Sequence, residues 1–249
     1  MNILLYVILL LVLALSVVGG VLASRSNVIQ LRRIGAYNAM PLSVGEAVES
    51  DRTVHVSFGS SAIHDISTLS AVAAVDILYN LAERAALADK PTLVTVSDPV
   101  TLTLGWDTLR QAYKARGVLN KYRTTMARWY PGGPSSLVFG AGVGAAVLEE
   151  DVSTNVLVGR FGAELALMTE NALRYDRFVI AQSDQVSGQA VAYAVSDMPL
   201  IGEELYAAGA YLGRRPLQIG GVVAQDVLRA LVIAMILGLF ALAVVGAKF

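Results

Sequence analysis

Polar residues that could hold a ligand recur in this chain at one kind of place, just after a run of apolar, β-branched residues. The stretch HVSFGSSAIHDIS, residues 55–67, ends its apolar run in Gly59, Ser60 and Ser61, with His64 and Asp65 close behind. Ser97 and Asp98 follow the next such run, Arg160 a later one, and Ser183 and Asp184 the last. Serine hydroxyls and backbone N–H groups at helix starts, with one guanidinium among them, are the donors that a phosphate or carboxylate needs. Ser60, Ser61, His64, Asp98, Arg160, Ser183 and Asp184 are therefore the candidate ligand-binding residues. The same residue types also cap helices and close tight turns whether or not anything binds. The set makes a site only if its members converge on one pocket.

The chain offers little else for catalysis. It contains no cysteine, which removes disulfides, iron–sulfur clusters and thiolate zinc sites. Two histidines, His55 and His64, are too few for a histidine-rich metal or haem centre, and His55 falls inside an apolar run. His64 and Asp65 are neighbours, but adjacent residues on a helix point about 100° apart and form no relay by themselves. No G-x-S-x-G elbow, Walker loop or H-E-x-x-H is present. FGAGVGAA at 139–146 holds G-x-G-x-x-A at Gly140, Gly142 and Ala145. A dinucleotide fingerprint follows the first strand and has an acidic residue at the end of the next; lacking both, this segment reads as a closely packed small-residue helix. Glu149, Glu150 and Asp151 read as a solvated helix end. No catalytic residue, metal ligand or cofactor is assigned. A net charge of −1 without a basic run argues against nucleic acid as a partner.

Those candidate residues need elements to position them, and the middle of the chain supplies an alternation. TVHVSF (53–58), TLVTVS (92–97), TMARWY (125–130), TNVLVG (154–159) and RFVIAQ (177–182) read as strands. Between them, helical segments are expected at roughly 66–88, 102–116, 136–150, 162–175 and 185–195. A short helix near 43–50 precedes them, a PGGP turn at 131–134 links the third strand to its helix, and 198–216 carries a short sixth strand and a helix. Such alternation implies βαβ crossovers and a mostly parallel sheet covered on both faces, an α/β, Rossmann-like, doubly wound fold. The helix at 66–88 is apolar nearly all round, so it is expected to face the sheet on one side and a subunit or a membrane on the other.

Both chain ends are apolar. Ile3–Ala23 and Ala230–Ala247 carry no charged side chain, and hydrophobic residues make up 55% of the chain; each run reads as a transmembrane helix. A cleaved signal peptide competes for the first run, but no Lys or Arg precedes it. Arg25, Arg32 and Arg33 follow the first run, and Arg214, Arg215 and Arg229 precede the second. The basic flanks thus face the intervening domain, which the positive-inside rule places in the cytoplasm. The expected map is an anchor at 1–23, a juxtamembrane segment at 24–52, a cytoplasmic α/β domain at 53–216, an interfacial segment at 217–229 and a second anchor at 230–249. That makes a two-pass protein of the inner (plasma) membrane.

IGEELYAAGAYL (201–212), with VHVSFGSSAI (54–63), LAERAALADKPTLVTVSDP (81–99) and STNVLVGRFGAE (153–164), resembles an uncharacterised family of bacterial and archaeal membrane-anchored proteins, found among others in Chloroflexus-type bacteria. The resemblance implies a cytoplasmic α/β domain tethered by terminal helices, and it transfers no activity or ligand. The expected function is a non-catalytic structural or accessory subunit that self-associates or docks on a larger membrane assembly, a bioenergetic complex for example. Its partners are then the lipid bilayer, further copies of the chain and other subunits, and a charge placed at Ala73 should break assembly. The alternative is a membrane-tethered ligand-binding or enzymatic domain for an anionic, nucleotide-like molecule at the strand C-terminal edge.

Overall fold

Runs rich in Val, Ile and Thr form the sheet, because branched side chains pack well on a pleated surface. The structure, a computed structural model, describes residues 3–25, 31–133 and 136–246. Among the described residues six strands, β1 (Thr53–Gly59), β2 (Leu93–Val96), β3 (Ala127–Trp129), β4 (Val152–Arg160), β5 (Phe178–Ser183) and β6 (Met198–Pro199), lie in the order β3-β2-β1-β4-β5-β6. All five pairings are parallel. The chain starts in the middle of the sheet, winds out to one edge, returns and winds out to the other. With right-handed crossovers, the two halves then carry their helices on opposite faces.

The helices are α1 (Ile3–Arg25), α2 (Gly35–Glu49), α3 (Thr68–Ala85), α4 (Pro99–Ala115), α5 (Leu137–Glu149), α6 (Leu165–Arg174), α7 (Val186–Val195), α8 (Ala208–Tyr211) and α9 (Pro216–Gly246). On one face Phe139, Val143 and Val147 of α5 and Leu165 and Met168 of α6 bury Leu157 and Val179 of the sheet. α3 and α4 cover the other half, with Ile77, Leu78, Leu81 and Leu109 fully buried.

Strand and helix positions follow the sequence pattern closely, with two differences. The third strand spans only Ala127–Trp129, because 3-10 turns at Leu119–Lys121 and Thr124–Met126 use up the residues before it. The short helix expected at 43–50 begins at Gly35 and carries Pro41 inside it. Packing overrides that breaker. Ala36, Tyr37, Met40, Val44 and Ala47 form a buried stripe at helical spacing, and the Tyr37 hydroxyl donates to the Glu204 and Leu205 carbonyls at 2.7 and 3.1 Å. α2 also packs on α3, so part of the second apolar surface of that helix is covered within the chain. Ile66, Leu69 and Val72 stay exposed, by 84%, 68% and 51%. Pro134 of the PGGP turn lies outside the described residues, as do 26–30 of the expected juxtamembrane segment and 247–249 of the expected second anchor.

The chain divides into two compact units, Arg33–Ala208 and a second formed by Met1–Arg32 with Gly209–Phe249. In the second unit α1 and α9 pack antiparallel. Gly20 lies against Pro216 and Leu217, and Gly19 against Gly220. A Cβ on Gly220 would run into the Ser16 carbonyl and the Gly20 nitrogen, so the two backbones approach as only glycine permits. Among the described residues one helix is long and apolar enough to cross a membrane, Pro216–Ala243, whose most apolar 18 residues have a mean hydropathy of 2.2 and include no buried residue. α1 contributes a shorter apolar stretch, Leu9–Leu22. Of the two spans expected, then, the C-terminal one stands by length and composition. Residues 217–229 form the first turns of the same continuous helix.

Candidate functional site

In a sheet of this strand order, ligands sit beyond the strand C-termini where the winding reverses, here between β1 and β4. The chain closes that crevice on itself. Gly59 has φ +62°, and a Cβ there would meet the Arg160 carbonyl and the Phe161 ring. Gly159 has φ +140°, and its Cβ would lie 2.5 Å from both the Phe58 carbonyl oxygen and Ser61 Oγ. With this approach secured, the loops bond directly. The Ser60 N–H and hydroxyl donate to the Arg160 carbonyl at 2.9 and 3.1 Å, and the Arg160 N–H donates to Ser61 Oγ at 2.8 Å. The Ser61 N–H goes back to the Phe58 carbonyl at 3.2 Å. Phe161, fully buried, fills the space beside them, and Ser183 Oγ donates to its carbonyl at 2.6 Å.

The remaining candidates act at separate helix starts. Asp98 caps α4, accepting the Thr101 N–H at 2.8 Å. Asp184 accepts the Ser70 hydroxyl at 2.9 Å. His64 is exposed on the turn before α3. Its neighbour Asp65 accepts the Ser67 hydroxyl and N–H at 2.5 and 2.7 Å, and these bonds, the hydroxyl first, hold its carboxyl below the usual range. The structure therefore brings Ser60, Ser61 and Arg160 together, sets Ser183 beside them through Phe161 and Asp98 beside Ser61 through Thr101, whose hydroxyl lies 2.8 Å from the Ser61 carbonyl and 3.0 Å from the Asp98 carboxylate, and leaves His64 apart. In the acidic run at 149–151, Glu149 is exposed and the other two are paired. Glu150 bonds Arg128, and Asp151 receives Arg52 and Arg177 at 3.2 and 3.0 Å. Gly140 and Gly142 lie inside α5, where they pack against the Glu164 carbonyl and the Tyr130 ring.

Ser183 and Asp184 open onto a groove of about 670 Å³ between the end of β5, α7 and the 3-10 turn Gly202–Ala207. Val186 and Tyr193 of α7 and Ile201 and Tyr206 of the opposite segment form its apolar surface. Gln182 is part of its lining yet only 1% exposed. Its Oε1 accepts the Gly159 N–H at 3.3 Å, while its Nε2 has no acceptor among the described residues. Gln189, by contrast, is satisfied at both ends, accepting from the Ser183 N–H at 3.2 Å and donating to the Leu200 carbonyl at 2.9 Å. Asp184 is the one charged residue among the described lining residues. Sequence reasoning missed Gln182. The available signal was an amide in a buried strand otherwise built of apolar residues and a terminal serine.

A second polar group is sealed inside the sheet. His55 Nδ1 meets Asn155 Oδ1, His55 Nε2 lies 2.8 Å from Thr95 Oγ1, and Thr95 Oγ1 donates to Ser57 Oγ at 3.0 Å. All four residues are fully buried, so this row is internal architecture. Burial pushes the His55 imidazole down to about 4, against the Asn155 bond, which raises it. Among the described residues no three His, Asp or Glu side chains gather to hold a metal ion.

Comparison with curated proteins and with solved structures gives no match in either set. A family model does match, and it spans residues 1–249. With that full-length match the chain belongs to the family described as Domain of unknown function (DUF6754).

Proposed function

We propose that the protein is a membrane-tethered, non-catalytic accessory subunit that self-associates or docks on a larger membrane assembly. The observation that carries this reading is the closed crevice: the position where a sheet of this winding holds its ligand is occupied by Ser60, Ser61, Arg160 and Phe161 bonded and packed on one another. The exposed apolar residues Ile66, in the turn before α3, and Leu69 and Val72 on α3 supply a surface for protein contact. The antiparallel packing of α1 on α9 and the basic residues at 25, 32, 33, 214, 215 and 229 support two passes with the domain on the cytoplasmic side of the inner membrane.

The test is the mass and composition of the particle extracted from native membrane in mild detergent. A homo-oligomer, or stable companions, is expected, and Leu69→Glu should reduce that particle. Ala73 is only 7% exposed, so a charge there would test folding rather than assembly. A lone monomer with no companion overturns the docking reading. The competing reading is an anion or nucleotide at the same strand edge, where Ser60, Ser61 and Arg160 gather. It predicts ADP binding that Arg160→Ala abolishes.

A further inference from the structure

We infer that the groove beside β5 is a binding site for a small, uncharged, largely apolar molecule whose hydrogen-bond acceptor meets Gln182 Nε2. This goes beyond the docking reading and does not depend on it. The volume, about 670 Å³, falls in the range of small-molecule sites, which pair an apolar lining with a few placed polar groups. Gln182 supplies the placed group. It is 99% buried, fixed through Oε1 by the Gly159 N–H, and left with an amide N–H₂ that no described residue accepts. That N–H₂ is not sealed from solvent, so water or a ligand in the groove can accept from it.

Charge decides the ligand class. Among the described residues no Lys or Arg lines the groove, and its one charged side chain, the Asp184 carboxylate, repels an anion. The anionic ligand expected from the strand-end serines therefore does not suit this cavity. Tyr193 and Tyr206, exposed by 68% and 50%, offer a ring from α7 and one from the 202–207 turn. Val186 and Ile201, exposed by 88% and 51%, leave apolar surface at the mouth. A flat ring system with a carbonyl fits these partners, since aromatic faces stack and the carbonyl accepts from the amide.

The experiment compares coumarin, neutral and bearing a lactone carbonyl, with coumarin-3-carboxylate, the same ring with a negative charge. Equilibrium dialysis uses the full-length protein in detergent, with empty micelles subtracted. Saturable coumarin binding is expected, at least about tenfold tighter than that of the carboxylate and weakened at least about tenfold by Gln182→Leu, because a site built around a hydrogen bond discriminates through it. Ala190 is exposed on the groove wall, so Ala190→Trp fills the groove without touching the core and should abolish binding. No saturable binding, equal affinity for the carboxylate, or binding unchanged in Ala190→Trp overturns the inference. None of these outcomes alters the particle mass by which the docking reading is judged.

Discussion

His55 spends the native state with no water to hydrate it. Its folded pKa of about 4 lies below the unfolded value of 6.5, so between those values the unfolded chain holds a proton that the native one lacks. Stability is therefore full above about pH 6.5 and falls as the pH drops toward 4, by up to about 3 kcal/mol from this residue. Denaturant unfolding followed by tryptophan fluorescence should give that loss, and His55→Gln should remove its share of the slope. Equal slopes in the two proteins would place the acid sensitivity elsewhere. At the turn after β1, Gly59→Ala adds a Cβ at φ +62° against the Arg160 carbonyl and the Phe161 ring. It should cost roughly 2 kcal/mol or more, read from the same unfolding curves. This closure was not legible in the sequence. Serine after a strand looks the same whether it awaits a phosphate or bonds a carbonyl, and the carbonyl that Ser60 bonds belongs to Arg160, 100 residues away.

Elements were far more legible than sites, because periodicity is a local property. The runs read as strands at 53–58, 154–159 and 177–182 became Thr53–Gly59, Val152–Arg160 and Phe178–Ser183. α2 escaped because its start is set by what Tyr37 and Met40 bury, which no local signal reports once Pro41 suggests a break. In the paired helices, glycine 220 carries the approach. Gly220→Val should push α1 and α9 apart, and the absence of native cysteine lets spin labels be placed cleanly at Val18→Cys and Val227→Cys, both exposed. A longer, broader inter-label distance is expected. An unchanged one would show that Gly220 does not hold the pair.

At the scale of the whole molecule, the orientation proposed from the arginine flanks has a direct test. The Asp89 side chain is 91% exposed, so a membrane-impermeant maleimide should label Asp89→Cys in inverted vesicles and leave it unlabelled in right-side-out ones. Labelling in right-side-out vesicles reverses the topology. The doubly wound order also sets a timetable for synthesis. β1 meets β2 early, Thr95 arriving 40 residues after His55, but Asn155 follows only after 100. At a ribosomal rate of about 5–20 residues per second, one edge of the central strand waits roughly 5–20 s for its neighbour. α1 waits longer still, since Gly220 is made some 200 residues after Gly19 and Gly20. Until then the glycine face of α1 is open to the same helix of a chain emerging from the next ribosome.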